Sequence, residues 1–306
     1  MNPSGSAAAM RAAAEAALTA LGTGSRPARF SFGDAARTRW SYTPRDHAGA
    51  GLAEMGLRAR KAFHRLLATA LSRSGLAQAV TIMGLEEVLD LDEAGRLGRH
   101  SSGYHLAVFG EPEANGFTWR IEGHHLSVSA TVVGDAVSVG PVFLGARPHK
   151  VACGHIEVVA PLGAEEAAAR GLLDALPLDL RREALVDPVA PGDIRSGNSP
   201  RVTPSLLQPA GVAAAKLAEE HRGMLADLAG LYLGRLAPGV RPHTDPQELH
   251  FAFLGRAGVG HGHSYRVVGP GLLIEYCNHD GDHAHTVVRS PGGDFGYDLL
   301  AAGTGS

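Results

Sequence analysis

The sequence predicts an α+β fold in which helical and strand-rich stretches are segregated along the chain. The predicted order is helices, strands, helices and strands, whereas a doubly wound fold alternates the two element types strictly. Two strand-rich segments, at about 104–145 and 248–290, consist of short β-rich runs separated by turn signals such as Asn115-Gly116. Such close spacing predicts antiparallel sheet structure. Because the two segments share one composition, we expect a single domain over residues 38–302, after an N-terminal extension over residues 1–37.

The helices are predicted from apolar residues at helical spacing and from Ala-rich composition. They lie at residues 8–22, 52–72, 76–90, 164–186 and 205–236. The first of them is a short Ala-rich helix within the N-terminal extension. Residues 187–204, between the last two, contain four Pro and two Gly, which predicts a long loop or lid.

Charge and composition exclude several classes of function. Lys and Arg number 28 against 31 Asp and Glu, and the resulting net charge of -3 argues against binding to a nucleic-acid backbone. No apolar run reaches the roughly 18 residues of a membrane span, and Arg11 and Glu15 fall where a signal peptide would be apolar. Cys153 and Cys277 are too few for a disulfide framework, so we expect a cytoplasmic protein.

Histidine is unusually abundant, and its clustering predicts a metal site. The chain has 16 His, and the pair His283-Ala284-His285 lies in a predicted strand, where a spacing of two places both rings on one face. Glu275 lies on the preceding strand, and a hairpin between the two strands would bring it near the pair. Two imidazoles and one carboxylate suit non-haem Fe(II), and a third imidazole would suit Cu, Zn or Mn.

A second histidine pair, His124-His125, lies where a strand begins. Adjacent strand residues point to opposite faces, so both rings can enter one pocket only if the strand is bulged, which Gly123 would permit. One buried and one surface histidine is an equally good interpretation. A third pair, His261 and His263, lies in a Gly-rich loop and is the weakest metal candidate of the three, with a substrate loop or no special role as alternatives.

Common catalytic motifs are absent. The chain has neither the H-E-x-x-H helix of zinc peptidases nor the G-x-S-x-G elbow of hydrolases. It also lacks the cupin order, because Glu275 precedes the histidine pair. Cys277 in an apolar strand is best interpreted as a small buried thiol.

Several of these residues recur together in one known family. They are, in chain order, Trp40, Pro44-Arg45, Glu86, Glu122-Gly123-His124-His125-Leu126-Ser127, Ile274-Glu275-Tyr276, His283-Ala284-His285-Thr286-Val287, Arg289 and Asp294-Phe295-Gly296. Over roughly residues 38–302 the chain resembles the bacterial and fungal family called domain of unknown function 3500. The resemblance implies one domain, with the two histidine segments belonging together as its polar signature. Cys277 and Ser290 stand where the family usually has aspartate, which implies an altered substrate or reduced activity.

These observations predict a mononuclear transition-metal enzyme. Its expected metal ligands are one or both of His124 and His125, with Glu275, His283 and His285. Arg289 is expected to anchor a substrate carboxylate, because a guanidinium binds that group through two hydrogen bonds. Tyr265 or Tyr276 is expected to donate a proton, and Asp294 or Asp298 to orient a ligand histidine.

The reaction is left open between several alternatives. Redox chemistry with Fe or Cu, of the oxygenase or oxidase type, is slightly favoured, and zinc-dependent hydrolysis comes next. A non-catalytic metal-binding protein, or structural histidines beneath a partner-binding surface, are the other possibilities. The expected ligand is a small molecule that contacts the loops at 187–204 and 255–263, with no nucleic-acid or membrane partner.

Overall fold

Both strand-rich segments belong to one large sheet. The computed structural model describes residues 3–22, 25–256, 258 and 260–303. The strands are β1 Arg29–Phe30, β2 Ala50–Gly51, β3 Tyr104–Phe109, β4 Gly116–Gly123, β5 Leu126–Val133, β6 Ala136–Ala146, β7 Val151–Cys153, β8 Ile156–Val159, β9 Leu185–Asp187, β10 Val212–Ala213, β11 His250–Gly255, β12 His263–Gly269, β13 Leu272–Asn278 and β14 Ala284–Arg289. Within these residues the sheet has twelve strands in the order β1-β3-β4-β5-β6-β14-β13-β12-β11-β10, with β2 beside β3 and β9 beside β11, while β7 and β8 pair separately.

The junction between the two segments is the pairing of β6 with β14. These strands run antiparallel, with Gly145 opposite His285 and Phe143 opposite Val287. The pairs β1-β3 and β9-β11 are parallel, and the other pairs in the sheet are antiparallel. The predicted α+β class is therefore confirmed, and the two strand-rich segments that carry the distant histidine pairs are joined in one sheet.

The two faces of the sheet are covered differently. Along β5, Leu126, Val128 and Ala130 enter the main hydrophobic core, whereas Ser127 and Ser129 point the other way, as strand alternation requires. The second face is also buried, but by loops rather than helices. A small apolar cluster there comprises Trp40, Tyr42, Phe143, Ile194, Cys277, Val287 and Phe295. This loop-covered face carries His285.

Helices cover the first face. They are α1 Pro3–Ala20, α2 Leu57–Ala70, α3 Arg73–Asp92, α4 Gly163–Ala175, α5 Leu178–Ala184 and α6 Glu219–Leu233. The short C-terminal helix α7 Tyr297–Gly303 instead begins beside the second face, where Tyr297 packs on the small apolar cluster. The N-terminal helix α1 packs on α2 and places Ala7, Met10 and Ala14, all fully buried, in the main core. It is thus an integral part of the packing, which the sequence did not indicate for residues 1–37. None of the helices, within the described residues, combines the length and apolar character of a membrane span.

The helix predicted over residues 205–236 is shorter than expected. Only Glu219–Leu233 is α-helical, and the chain before it forms short 3-10 turns and the strand β10. Gly211 explains the difference, because its φ of +75° and its close approach to Phe251 would strain any other residue. A Cβ there would lie 2.1 Å from the Phe251 carbonyl oxygen, so glycine allows β10 to pair with β11.

Candidate metal centre

His124 and His125 form the two-residue turn between β4 and β5. The turn holds His125 at φ +61°, and the backbone N–H of His125 donates to the Tyr42 carbonyl at 3.0 Å. Because the pair lies in the turn and not in a strand, strand alternation does not separate the rings, which stack with centroids 3.7 Å apart. A bulge is therefore not needed to bring both histidines to one side.

His285 of β14 and His283, which directly precedes that strand, approach this turn. His285 lies opposite Gly145 of β6, whose N–H donates to the His125 carbonyl at 2.7 Å. A Cβ on Gly145 would lie 2.8 Å from Cδ2 of His125 and 3.0 Å from Cδ2 of His285. The missing side chain of Gly145 therefore gives both rings the space in which they meet.

Three imidazoles converge at this point. One ring nitrogen from each of His125, His283 and His285 lies within 4.8 Å of the other two, the spacing at which the three could hold one metal ion. Nε2 of His125 lies 2.8 Å from Nε2 of His283. Nε2 of His285 is buried and has no hydrogen-bond partner among the described residues. A buried nitrogen without a partner is costly, and a metal ion would satisfy it.

Carboxylates lie beside the other nitrogens of two of these rings, those of His285 and His125. Nδ1 of His285 lies 2.7 Å from Oδ1 of Asp193, whose second oxygen accepts from the Tyr42 hydroxyl at 2.9 Å. Glu86 of α3 lies 2.8 Å from Nδ1 of His124 and 3.6 Å from Nδ1 of His125. Metal-binding histidines commonly donate their second nitrogen to a carboxylate, which fixes the ring and directs the free lone pair to the ion.

Burial disfavours the protonated form of two of the converging imidazoles, His283 and His125. Burial lowers the pKa of His283 to about 3, with the neighbouring His285 adding to the effect. Burial, together with His124 and His285, also holds the pKa of His125 well below its ordinary value. Neutral imidazole is the form that binds a metal.

A second group of potential ligands shares His125 with the first. Glu86, His124 and His125 also offer three donor atoms within 4.8 Å of one another. His124 is thus placed beside the three-histidine cluster rather than in it. Its ring nitrogen Nδ1 lies close to both oxygens of Glu86, at 2.8 and 2.9 Å, as in an ordinary imidazole–carboxylate hydrogen bond.

Glu275, expected as a ligand, lies outside both groups. It occupies β13 opposite Val287, two residues from Cys277, which is the residue opposite His285. Its buried carboxylate accepts from the backbone N–H groups of Arg195 at 2.9 Å and Ser196 at 3.1 Å. The expected hairpin therefore forms, but the carboxylate is taken up in holding the loop at 195–196.

The expected roles of Arg289 and Asp294 also differ from their placement. Arg289 is fully buried, and its guanidinium donates to Asp294 at 2.7 Å and to the carbonyls of Ser199 and Pro200. All three nitrogens are thus engaged within the protein, so a substrate carboxylate has no access to them. The pair anchors the loop at 199–200 to the end of β14.

Tyr265 and Tyr276 lie on the opposite face of the sheet. Both are fully buried and stack on each other with centroids 4.9 Å apart. The Tyr265 hydroxyl pairs with the Tyr232 hydroxyl and donates to the Glu165 carbonyl at 3.1 Å. Because their face is that of the helix-covered core, neither hydroxyl is placed beside the histidine cluster.

The Gly-rich loop pair is separate from the cluster as well. His263 is buried, and its Nδ1 lies 2.9 Å from Arg170, with Glu166 3.7 Å from its other nitrogen. Neither His261 nor His263 belongs to the two groups of converging donors found among the described residues.

Two carboxylates of the site were not predicted from the sequence as parts of it. Asp193 lies in the Pro-rich segment expected to be a loop, and Glu86 lies in a predicted helix. The sequence feature that pointed to Asp193 is the loop in which it lies, because that loop was expected to contact the ligand. Glu86 belongs to the family's sequence pattern, and its place in a predicted helix gives no sign of a role in the site.

No curated protein and no solved structure matches the chain. The model of the family described as protein of unknown function (DUF3500) matches residues 4–297, a span that includes both histidine pairs, Glu86 and Asp193. The chain belongs to this DUF3500 family.

Proposed function

We propose that this protein is a mononuclear transition-metal enzyme in which His125, His283 and His285 hold the ion. The observation that carries the proposal is the convergence of three ring nitrogens, one of which, Nε2 of His285, is buried and has no partner among the described residues. Carboxylates on the opposite nitrogens, Asp193 and Glu86, are the arrangement expected around metal-binding histidines.

The donor set limits which metals fit. Three imidazoles suit Cu, Fe and Zn, whereas Mg and Ca prefer oxygen ligands. The expected set of two histidines with Glu275 is not assembled, because the loop at 195–196 occupies that carboxylate, whereas Glu86, His124 and His125 offer two histidines and one carboxylate, the set typical of non-haem Fe(II). Cu or Fe would supply one-electron redox chemistry, and Zn would instead acidify a water.

The surrounding groups favour redox chemistry over zinc hydrolysis. A hydrolase needs a group free to take a proton from water. The carboxylates nearest the cluster, Asp193 and Glu86, are already hydrogen-bonded to histidine rings and to Tyr42. We therefore propose oxidation of a small molecule, with zinc-dependent hydrolysis as the second candidate.

The chain itself orients the ligands and excludes water on one side. The Tyr42 ring stacks on Phe143 with centroids 3.9 Å apart, and it contacts the His285 ring edge-on with centroids 5.3 Å apart. With Ile194 these residues form an apolar wall beside His285. His283 and His285 are both partly exposed, and because the apolar wall lies beside His285, a small molecule would approach from the side of His283.

Elemental analysis of the untagged protein, purified without chelator, tests the proposal. About one equivalent of Cu or Fe is expected, and oxygen consumption with candidate substrates would then be measured. One equivalent of Zn would favour the hydrolase. Absence of metal, with none taken up on reconstitution, would contradict the proposal.

A further inference from the structure

We infer that the substrate is a small organic anion and that its charged group binds in two adjoining cavities beside His124. The inference rests on the proposed function, because it names the substrate class of that site. The first cavity, of about 210 Å³, has Glu86 and His124 in its wall. The second, of about 250 Å³, shares Arg45 and His47 with the first.

The cavity walls carry an excess of positive charge. Five arginines line them, namely Arg26, Arg39, Arg45, Arg99 and Arg120, against the three carboxylates of Asp46, Glu86 and Glu122. The whole chain has a net charge of -3, so this excess is local and not a reflection of composition. A concave surface of one sign raises the local concentration of ions of the opposite sign.

Arg45 is the cation best placed to take a ligand. Arg26 pairs with Asp46 at 2.7 Å, and Arg120 pairs with Glu122 at 2.9 Å. Arg45 lines both cavities, and its side chain is exposed and has no hydrogen bond or ion pair to any described residue. A guanidinium in this state offers two parallel donors to a carboxylate or a phosphate.

His47 supplies the second, independent observation. Its ring is only 4% exposed and lies in the wall shared by the two cavities. Nε2 has no hydrogen-bond partner in the described part of the chain, and Nδ1 lies 3.4 Å from Glu122. A ligand oxygen in the cavity would satisfy a buried nitrogen that the protein leaves without a partner.

The cavity adjoins the proposed metal ligands directly. His124, in the cavity wall, stacks on His125, and one guanidinium nitrogen of Arg99 lies 3.4 Å from Nδ1 of His124. The remaining nitrogens of Arg99 bind Glu93, so the side chain is held in place. An anion bound here is therefore separated from the metal ligand His125 by a single imidazole ring.

Calorimetric titration of the protein as purified, at constant ionic strength, tests the inference. The probes are succinate and, separately, inorganic phosphate. Arg45→Gln is compared with Arg58→Gln, which changes an exposed arginine on α2 outside both cavities. We expect saturable binding of at least one probe, weakened about tenfold by Arg45→Gln and unchanged by Arg58→Gln.

The outcomes separate the two proposals. Binding of succinate alone supports a carboxylate substrate, and binding of phosphate alone supports a phosphate ester. No saturable binding of either probe, or equal affinity in both variants, overturns the anion site even if metal is bound. Anion binding in a protein that takes up no metal would instead overturn the metal enzyme.

Discussion

At the scale of single residues, the site depends on which nitrogen of each histidine is already occupied. Asp193 takes Nδ1 of His285, and this leaves the buried Nε2 as the only nitrogen of that ring able to bind a metal. Glu86 lies near Nδ1 of both His124 and His125, so it influences the orientation of the whole pair. Asp193 and Glu86 are not ligands in the three-histidine cluster. By contacting the histidine rings, they nevertheless determine where the lone pairs of the ligand nitrogens point.

Glu86→Gln is predicted to weaken metal binding without abolishing it. The amide keeps the shape of the side chain but removes the charge that orients His125, and such changes typically cost about 10–100-fold in metal affinity. A competition titration with a chromogenic chelator measures the affinity. Complete loss of metal would instead place Glu86 among the ligands, in the second group with His124 and His125.

Arg289→Ala is predicted to destabilise the protein. The change leaves Asp294 buried without its cation, which typically costs about 3–5 kcal/mol of unfolding free energy. Urea unfolding measures the loss, and the double variant Arg289→Ala with Asp294→Asn should recover part of it, because the uncompensated charge is gone. An Arg289→Ala protein of unchanged stability would return the guanidinium to a role in substrate binding.

At the scale of secondary-structure elements, the local sequence pattern predicts those features of the fold that depend on residues close together in the chain. The pattern correctly placed His285 in a strand, whereas His283 directly precedes that strand, and the turn signals correctly delimited the antiparallel segments. The His124-His125 pair was assigned to a strand because its sequence neighbours are β-rich. Only the hairpin geometry shows that it is the turn itself.

Contacts between elements distant in sequence could not be predicted from local pattern. Asp193 meets His285 across 92 positions, and Glu86 meets His124 across 38. The position of Glu275 outside both groups of converging donors has the same cause, since the loop at 195–196 binds it from 80 positions away. The division of the chain at residue 38 stays a prediction, although α1 shares the main core.

Met10→Ala is predicted to lower the free energy of unfolding, and the size of the loss measures how far α1 contributes to the fold. Met10 is fully buried in the main core, and truncating such a side chain typically costs about 2–5 kcal/mol. Leu91→Ala is the control, because Leu91 is 80% exposed and its truncation should change stability little. Equal stability of the two variants in urea would mean that α1 can detach without loss.

At the scale of the whole molecule, the stability of the metal-free protein is predicted to fall between about pH 6.5 and pH 4. Burial, with Arg170 beside it, lowers the pKa of His263 to about 4, against an ordinary value of 6.5. Between these values the unfolded chain binds a proton that the folded chain refuses, so acid favours unfolding by up to about 1.4 kcal/mol per pH unit for each such histidine. Glu166, 3.7 Å away, is the opposing charge facing the ring.

Urea unfolding of chelator-treated protein at pH 7 and pH 5 measures this dependence. His263→Gln should make the decline shallower, because one of the titrating groups is removed. A stability that rises on acidification would show that His263 gains a proton in the folded state, contrary to the cause assigned to its lowered pKa.

The central claim is that one metal ion binds between the two halves of the sheet. The most direct measurement is the metal content of His285→Ala, compared with wild type and with His155→Ala, which removes an exposed histidine in the turn between β7 and β8. We predict about one equivalent in wild type and in His155→Ala, and almost none in a folded His285→Ala protein. A full equivalent in His285→Ala would contradict the three-histidine centre.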